Sequence, residues 1–121
     1  MNKPVIAVLD DQLFICEMIE IILKDSYEVH KFLHGKDAIK FVSEHPVDLI
    51  FLDYDMPEMT GYEALMAIRA SKAAAETPII FLTAQNNERM KAEMLERGAN
   101  DYICKPIDSN ELRRTVKKFI K

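Results

Sequence analysis

Apolar runs that stop abruptly at a polar side chain constrain this chain more than any other feature. Val5-Ile6-Ala7-Val8-Leu9 ends at Asp10-Asp11, Leu49-Ile50-Phe51-Leu52 ends at Asp53, and Pro78-Ile79-Ile80-Phe81-Leu82 ends at Thr83. A strand with one wet face alternates apolar and polar residues, whereas an uninterrupted run reads as a strand covered on both faces, as in parallel sheets. Each run then delivers its terminal polar residue to the carboxyl end of a strand. In open α/β sheets that edge is where ligands bind.

The segments between the runs complete the pattern. Gln12 to Lys24 has helix length and composition, and Val29 to Phe32 reads as a short, half-polar edge strand. Gly35 to Glu44 carries Ala38, Ile39 and Val42 at helical spacing. Thr60 and Glu63 form a capping-box pattern, so a third helix is predicted from near Gly61 to about Ala70. Ser71 to Thr77 is a loop, and Pro78 takes the permitted first position of a strand running to Thr83. Asn87 to Arg97 is a helix stopped by Gly98. Asp101 to Cys104 is a fifth strand, and Asp108 or Ser109 caps a last helix with Leu112, Val116 and Phe119 or Ile120 toward the core. Five strand–helix units imply parallel strands, right-handed crossovers and helices on both faces. The predicted fold is an α/β three-layer sandwich, a single domain over 1–121, since 121 residues leave no room for a second core.

Composition narrows the function. The net charge of −4 speaks against direct nucleic-acid binding, which needs a clustered positive surface. Arg113, Arg114, Lys117, Lys118 and Lys121 read as a solvated basic face at a helix C-terminus. No apolar run approaches the roughly 20 residues that span a bilayer, and the first residues lack the pattern of a secretory leader. Cys16 and Cys104 make neither a metal pair nor a disulfide framework, and are expected as buried small apolar residues in a reducing cytoplasm. His30, His34 and His45 show no ligand spacing and are expected at the surface or in loops.

Parallel strands gather Asp10, Asp11, Asp53, Thr83 and Lys105 at one edge. Close carboxylates repel by roughly 4 kcal/mol at about 4 Å and an effective dielectric near 20, which a cation in the site would offset. Oxygen ligands without His or Cys select a hard ion, Mg²⁺ before Ca²⁺. A lysine and a hydroxyl beside such an ion suit a transferring phosphoryl group, and Asp53 is the candidate nucleophile.

These residues carry a family resemblance over essentially the full length. Val8-Leu9-Asp10-Asp11, the Asp53-x-x-Met56-Pro57-x-Met59-x-Gly61 motif, Thr83-Ala84, and Tyr102 ahead of Lys105-Pro106 resemble the receiver domains of bacterial two-component response regulators. The resemblance implies the flavodoxin-like strand order 2-1-3-4-5 and a Mg²⁺-dependent phosphorylation switch. Asp53 is then the phosphoacceptor, and Asp10 and Asp11 hold Mg²⁺ with Asp53 and the backbone carbonyl of Asp55. Lys105 pairs with the acceptor or phosphoryl oxygens. Thr83 moves toward the phosphoryl group, and Tyr102 turns inward with it, altering the face of the fourth helix, fifth strand and fifth helix. The family also implies a cis Lys105–Pro106 peptide and a cytoplasmic protein that catalyses only its own phosphoryl transfer and dephosphorylation. Its phosphodonor is a histidine kinase or histidine phosphotransfer protein, and its output partner or effector domain is unknown. Tyr54, where an aliphatic residue is common, departs from the pattern and is expected to crowd the adjacent packing. Asp55 and Gln85 occupy positions that tune phosphoryl lifetime.

The first helix has more apolar surface than one buried face uses. Ile15, Cys16, Ile19, Ile22 and Leu23 form a core stripe, while Phe14, Met18 and Ile21 flank it toward solvent. Phe14, Ile15, Met18 and Ile21 are therefore expected to dock a partner's helical bundle, a mode the family is known to use. Two other readings compete. A phosphorylation-independent binding module with a receiver fold has no need for the full acidic set with Thr83 and Lys105. A haloacid-dehalogenase-like phosphatase would use Asp53-Tyr54-Asp55 as its DxD, but that motif normally follows the first strand and does not continue to a proline such as Pro57. The glycines at 35, 61 and 98 supply no phosphate-cradling loop for a flavin or dinucleotide.

Overall fold

The computed structural model describes residues 2–120, so Lys121 of the basic face lies outside the described residues. Strands β1 (Val5–Leu9), β2 (Glu28–Phe32), β3 (Leu49–Asp53), β4 (Ile79–Thr83) and β5 (Asp101–Cys104) form one parallel sheet in the order β2-β1-β3-β4-β5. Helices α1 (Leu13–Leu23), α2 (Gly35–Glu44), α3 (Gly61–Ala70), α4 (Glu88–Glu96) and α5 (Ser109–Phe119) follow the strands in turn. The three-layer α/β reading and its strand order hold.

Strand period explains the layers, because successive side chains point to opposite faces. Ile6, Val8, Leu49, Phe51, Ile80, Leu82 and Ile103 pack with Ile15, Cys16, Ile19 and Leu23 of α1 and with Leu112 and Val116 of α5. Ala7, Leu9, Ile50, Leu52, Ile79 and Phe81 pack on the other face with α2, α3 and Met94 of α4. The central strands β3 and β4 are buried at every position, as their unbroken apolar runs require.

Local signals set most boundaries. Thr60 and Glu63 form the expected reciprocal capping box of α3. Asp108, not Ser109, caps α5, accepting from Glu111 N at 3.0 Å. Gly98 ends α4 in the left-handed region at φ 120°, where a Cβ is strained. Two strand starts shift by one residue. β2 begins at Glu28, whose amide bonds to Pro4 O at 2.9 Å. β4 begins at Ile79, with Pro78 outside it but still accepting from Ile50 N at 2.9 Å.

Two side-chain expectations need correction. Cys16 is fully buried, but Cys104 is only half-buried, because β5 is an edge strand and its last residue faces the β4–α4 loop at Gln85 O, 3.6 Å away. Ile22, placed in the core stripe, is also half-buried at the rim of that core, since α1 turns it partly toward solvent. Among the histidines, His30 lies on β2 and His45 after α2, and both rings pack on Phe41, His30 tilted at 4.5 Å and His45 stacked at 4.4 Å between centroids.

Candidate functional site

The sheet register brings the acids together. Leu9 pairs with Leu52, so the next residues, Asp10 and Asp53, leave adjacent strands at the same level. Asp10 is 0% exposed and Asp53 3%, while Asp11 reaches into solvent. One carboxylate oxygen from each of Asp10, Asp11 and Asp53 lies within 4.8 Å of the others. Thr83, one residue beyond the partner of Asp53 on β4, is buried. Its Oγ1 accepts from Gln85 N at 3.0 Å.

Lys105 reaches the cluster from beyond β5, where its amide bonds to Thr83 O at 2.7 Å and its peptide to Pro106 is cis. Its Nζ donates to Asp53 Oδ1 at 3.2 Å and approaches Asp10 Oδ2 at 2.9 Å. The approach to Asp10 lacks hydrogen-bond alignment, so Asp10 Oδ2 is a buried acceptor without a directed donor. Asp10 Oδ1 takes the amide of Gln12 at 2.9 Å, and Asp53 Oδ1 the amide of Asp55 at a long 3.4 Å. Asp11, Gln12, Asp53, Asp55, Ala84 and Lys105 line one shallow cleft.

One ammonium between two buried carboxylates leaves net negative charge. Burial first, and then the neighbouring Asp10, push the Asp53 carboxyl from 3.8 up to about 7, against the opposing pull of Lys105. Burial works against the charge of Lys105, yet Asp10 and Asp53 hold its pKa above the ordinary value. The single ammonium shared by Asp10 and Asp53, the three converging carboxylates and the all-oxygen donor set fit a hard divalent cation.

Tyr54 does not disturb this chemistry. Its amide bonds to Leu82 O at 2.8 Å and its carbonyl accepts from Gly61 N at 3.0 Å, so its backbone is fixed. Its ring, expected to crowd its surroundings, instead stands edge-on to Tyr62 and Phe81 at 5.4 and 5.8 Å. A Cβ on Gly61 would lie 2.7 Å from Phe81 Cε1, 2.9 Å from Tyr54 Cα and 3.0 Å from Asp53 O, so glycine is what lets α3 start this close to the site.

On α1, Phe14 is 71% and Ile21 65% exposed, and Met18 is half-buried between them. Ile15 does not belong to this surface. It is 8% exposed, because helical spacing turns it onto the sheet with Ile19. Leu13, absent from the expected stripe, is 49% exposed and lines the same groove with Phe14, Glu17, Met18, Ile21 and Ile22. The signal was available, since Leu13, Glu17 and Ile21 follow at i, i+4 and i+8.

Fold and site together define a class of signalling domain rather than an enzyme in the ordinary sense. Residues 5–117 match the model of the response regulator receiver domain, and the chain belongs to that family, whose members act in two-component signalling. It is similar to the transcriptional regulatory protein PcoR of Escherichia coli, 36% identical over 100 residues, covering 83% of this chain and 43% of PcoR. The chain spans about half the length of the curated relatives it matches. Chemotaxis protein CheY4 of Vibrio cholerae is structurally similar, with a TM-score of 0.92 and 29% identity, over 98% of this chain and 100% of CheY4. The receiver domain of sensor histidine kinase PA1611 from Pseudomonas aeruginosa, with a magnesium ion coordinated in its active site cleft, matches with a TM-score of 0.88 and 30% identity, over 98% of each chain. No helix among the described residues is long and apolar enough to cross a membrane.

Proposed function

We propose that this domain, the whole of residues 1–121, is a phosphorylation switch in which Asp53 is the phosphoacceptor. The observation that carries this reading is the Lys105 ammonium set between Asp53 and Asp10, at 3.2 and 2.9 Å, at a buried strand end. A carboxylate oxygen of Asp53 attacks the phosphorus of a phosphohistidine. The P–N bond breaks, the imidazole nitrogen keeps the electron pair, and an aspartyl phosphate forms. Asp10, Asp11, Asp53 and the Asp55 carbonyl hold Mg²⁺, which when bound neutralises phosphoryl oxygens. Lys105 supplies the remaining fixed positive charge, and the Thr83 hydroxyl leaves Gln85 N to donate to the phosphoryl group. The new charge of about −1.5 to −2 biases two pre-existing states through Thr83 and Tyr102, altering the α4–β5–α5 face. Loss of the phosphoryl group is likewise the domain's own chemistry.

The donor is a histidine kinase or histidine phosphotransfer protein, docked on Leu13, Phe14, Met18 and Ile21 beside the acceptor, in the cytoplasm. Labelling with acetyl phosphate or a phosphohistidine donor in the presence of Mg²⁺ tests the core of this reading. One phosphate per wild-type chain is expected and none on Asp53→Asn. Equal labelling of the two proteins would refute it. For the docking surface, Phe14→Ser with Met18→Ser should keep the fold and acetyl-phosphate labelling while slowing transfer from the cognate donor.

A further inference from the structure

Lys91, in the first half of α4, has a side chain only 12% exposed, less than the 16% of Lys105 inside the acidic site. Lysines on a helix surface usually carry the ammonium out into water. Here Nζ donates to Asn86 Oδ1 at 2.7 Å, stands 3.7 Å from Glu88 Oε1, and lies 4.8 Å from the centroid of the Tyr102 ring. The first two contacts are local to the β4–α4 loop and the first turn of α4. The third crosses to β5, where Tyr102 is half-buried.

We propose that Lys91 is a positioning residue for the Thr83–Tyr102 pair, its ammonium holding the Tyr102 ring in the half-exposed position and opposing its inward turn. This rests on the role proposed above for that pair. A cation attracts the negative face of an aromatic ring only while it lies over that face. An inward turn takes the ring from beneath Nζ but leaves the contacts to Asn86 and Glu88 intact. Lys91 therefore stabilises one ring position over the other, the differential interaction needed to bias a two-state element.

Beryllofluoride with Mg²⁺, as a phosphoryl mimic, provides the test. The four tyrosines are labelled with 3-fluorotyrosine and the Tyr102 resonance is assigned by Tyr102→Phe. In Lys91→Met, which keeps the aliphatic stem, the beryllofluoride concentration for half-saturation should fall about two- to five-fold. Without the mimic, the Tyr102 resonance should move toward its saturated position. Lys91→Arg should restore both readouts, and Lys91→Met should have no effect in a Tyr102→Leu background. Unchanged or weaker binding by Lys91→Met, or the same gain without Tyr102, overturns the inference. Should Lys91→Met lose its fold, Lys91→Gln carries the same comparison. Wild-type protein that fails to bind the mimic, or binding that survives Asp53→Ala, defeats the reading of the acidic site itself. Wild-type binding with an indifferent Lys91→Met defeats the role of Lys91 alone.

Discussion

The two edges of the sheet both bury charged groups, and they treat them in opposite ways. At the amino edge, the half-buried Arg69 of α3 donates to the carbonyls of Ala74, Ala75, Thr77 and Gly98 and to Asn100 Oδ1. Asn100 Oδ1 also accepts from Ile79 N at 2.9 Å, and Asp48 accepts from Val5 N at 2.7 Å. Burial lowers the Arg69 pKa, yet its fork is filled with acceptors. At the carboxyl edge, two buried carboxylates share one ammonium, and Asp10 Oδ2 has no directed donor. One edge uses buried polarity to fasten α3, the α3–β4 loop and the α4–β5 loop together. The other leaves it unbalanced, as the proposed binding of a cation and a phosphoryl group requires.

If that contrast is right, removing charge should have opposite effects at the two edges. The largest effect belongs to Arg69→Met, which takes the donor from the carbonyls of Ala75, Thr77 and Gly98, while Ala74 O keeps Thr77 N and Asn100 Oδ1 keeps Ile79 N. It should cost about 3 kcal/mol in urea unfolding while leaving Asp53 labelling intact. A loss within about 0.5 kcal/mol would show that the network is incidental.

Asp53→Asn should do the reverse and raise stability at pH 8 without metal, by about 2 kcal/mol, roughly half of what a rise from 3.8 to about 7 corresponds to, because the amide also gives up the ion pair with Lys105. The sign follows from proton uptake. With a pKa of 3.8 unfolded and about 7 folded, the native state binds more protons between those values. The Asp53 carboxyl therefore weakens the fold increasingly as pH rises from about 4 to about 7. The gain from Asp53→Asn should be absent near pH 3.5, grow across that window and level off above it. A gain independent of pH would place the strain elsewhere.

The smallest effect is that of Mg²⁺. At tenfold over its dissociation constant it should add about 1.4 kcal/mol, or about 5 °C in melting temperature, to the wild type. Arg69→Met should show the same increment, since its edge holds no part of the site. Asp10→Asn should show almost none.

Much of the carboxyl edge was legible in the sequence. Each of Asp10, Asp53 and Thr83 directly ends an apolar run, and parallel pairing sends all such ends to one side. The amino edge was not legible. Arg69 looks like an ordinary basic residue in the last turn of α3, and its partner Asn100 is 31 residues away. The position of Lys91 over Tyr102 was hidden for the same reason, as it joins a helix to a strand across an intervening loop. On α1 the period indicated excess apolar surface, but the helix's rotation against the sheet decided that Leu13 faces out and Ile15 in.

By itself, the sequence determined the element order, the parallel α/β class, the cap of α3 and the set of polar residues at strand ends. All of these follow from periodicity and from signals a few residues apart. Only the tertiary structure decided how those residues meet. The level pairing of Leu9 with Leu52 buries Asp10 beside Asp53, and the crossover into β5 brings Lys105 within 3.2 Å of Asp53. Burial and charge proximity move the Asp53 carboxyl to about 7. Those are properties of distances between strands, and no stretch of the chain carries them until the sheet is assembled.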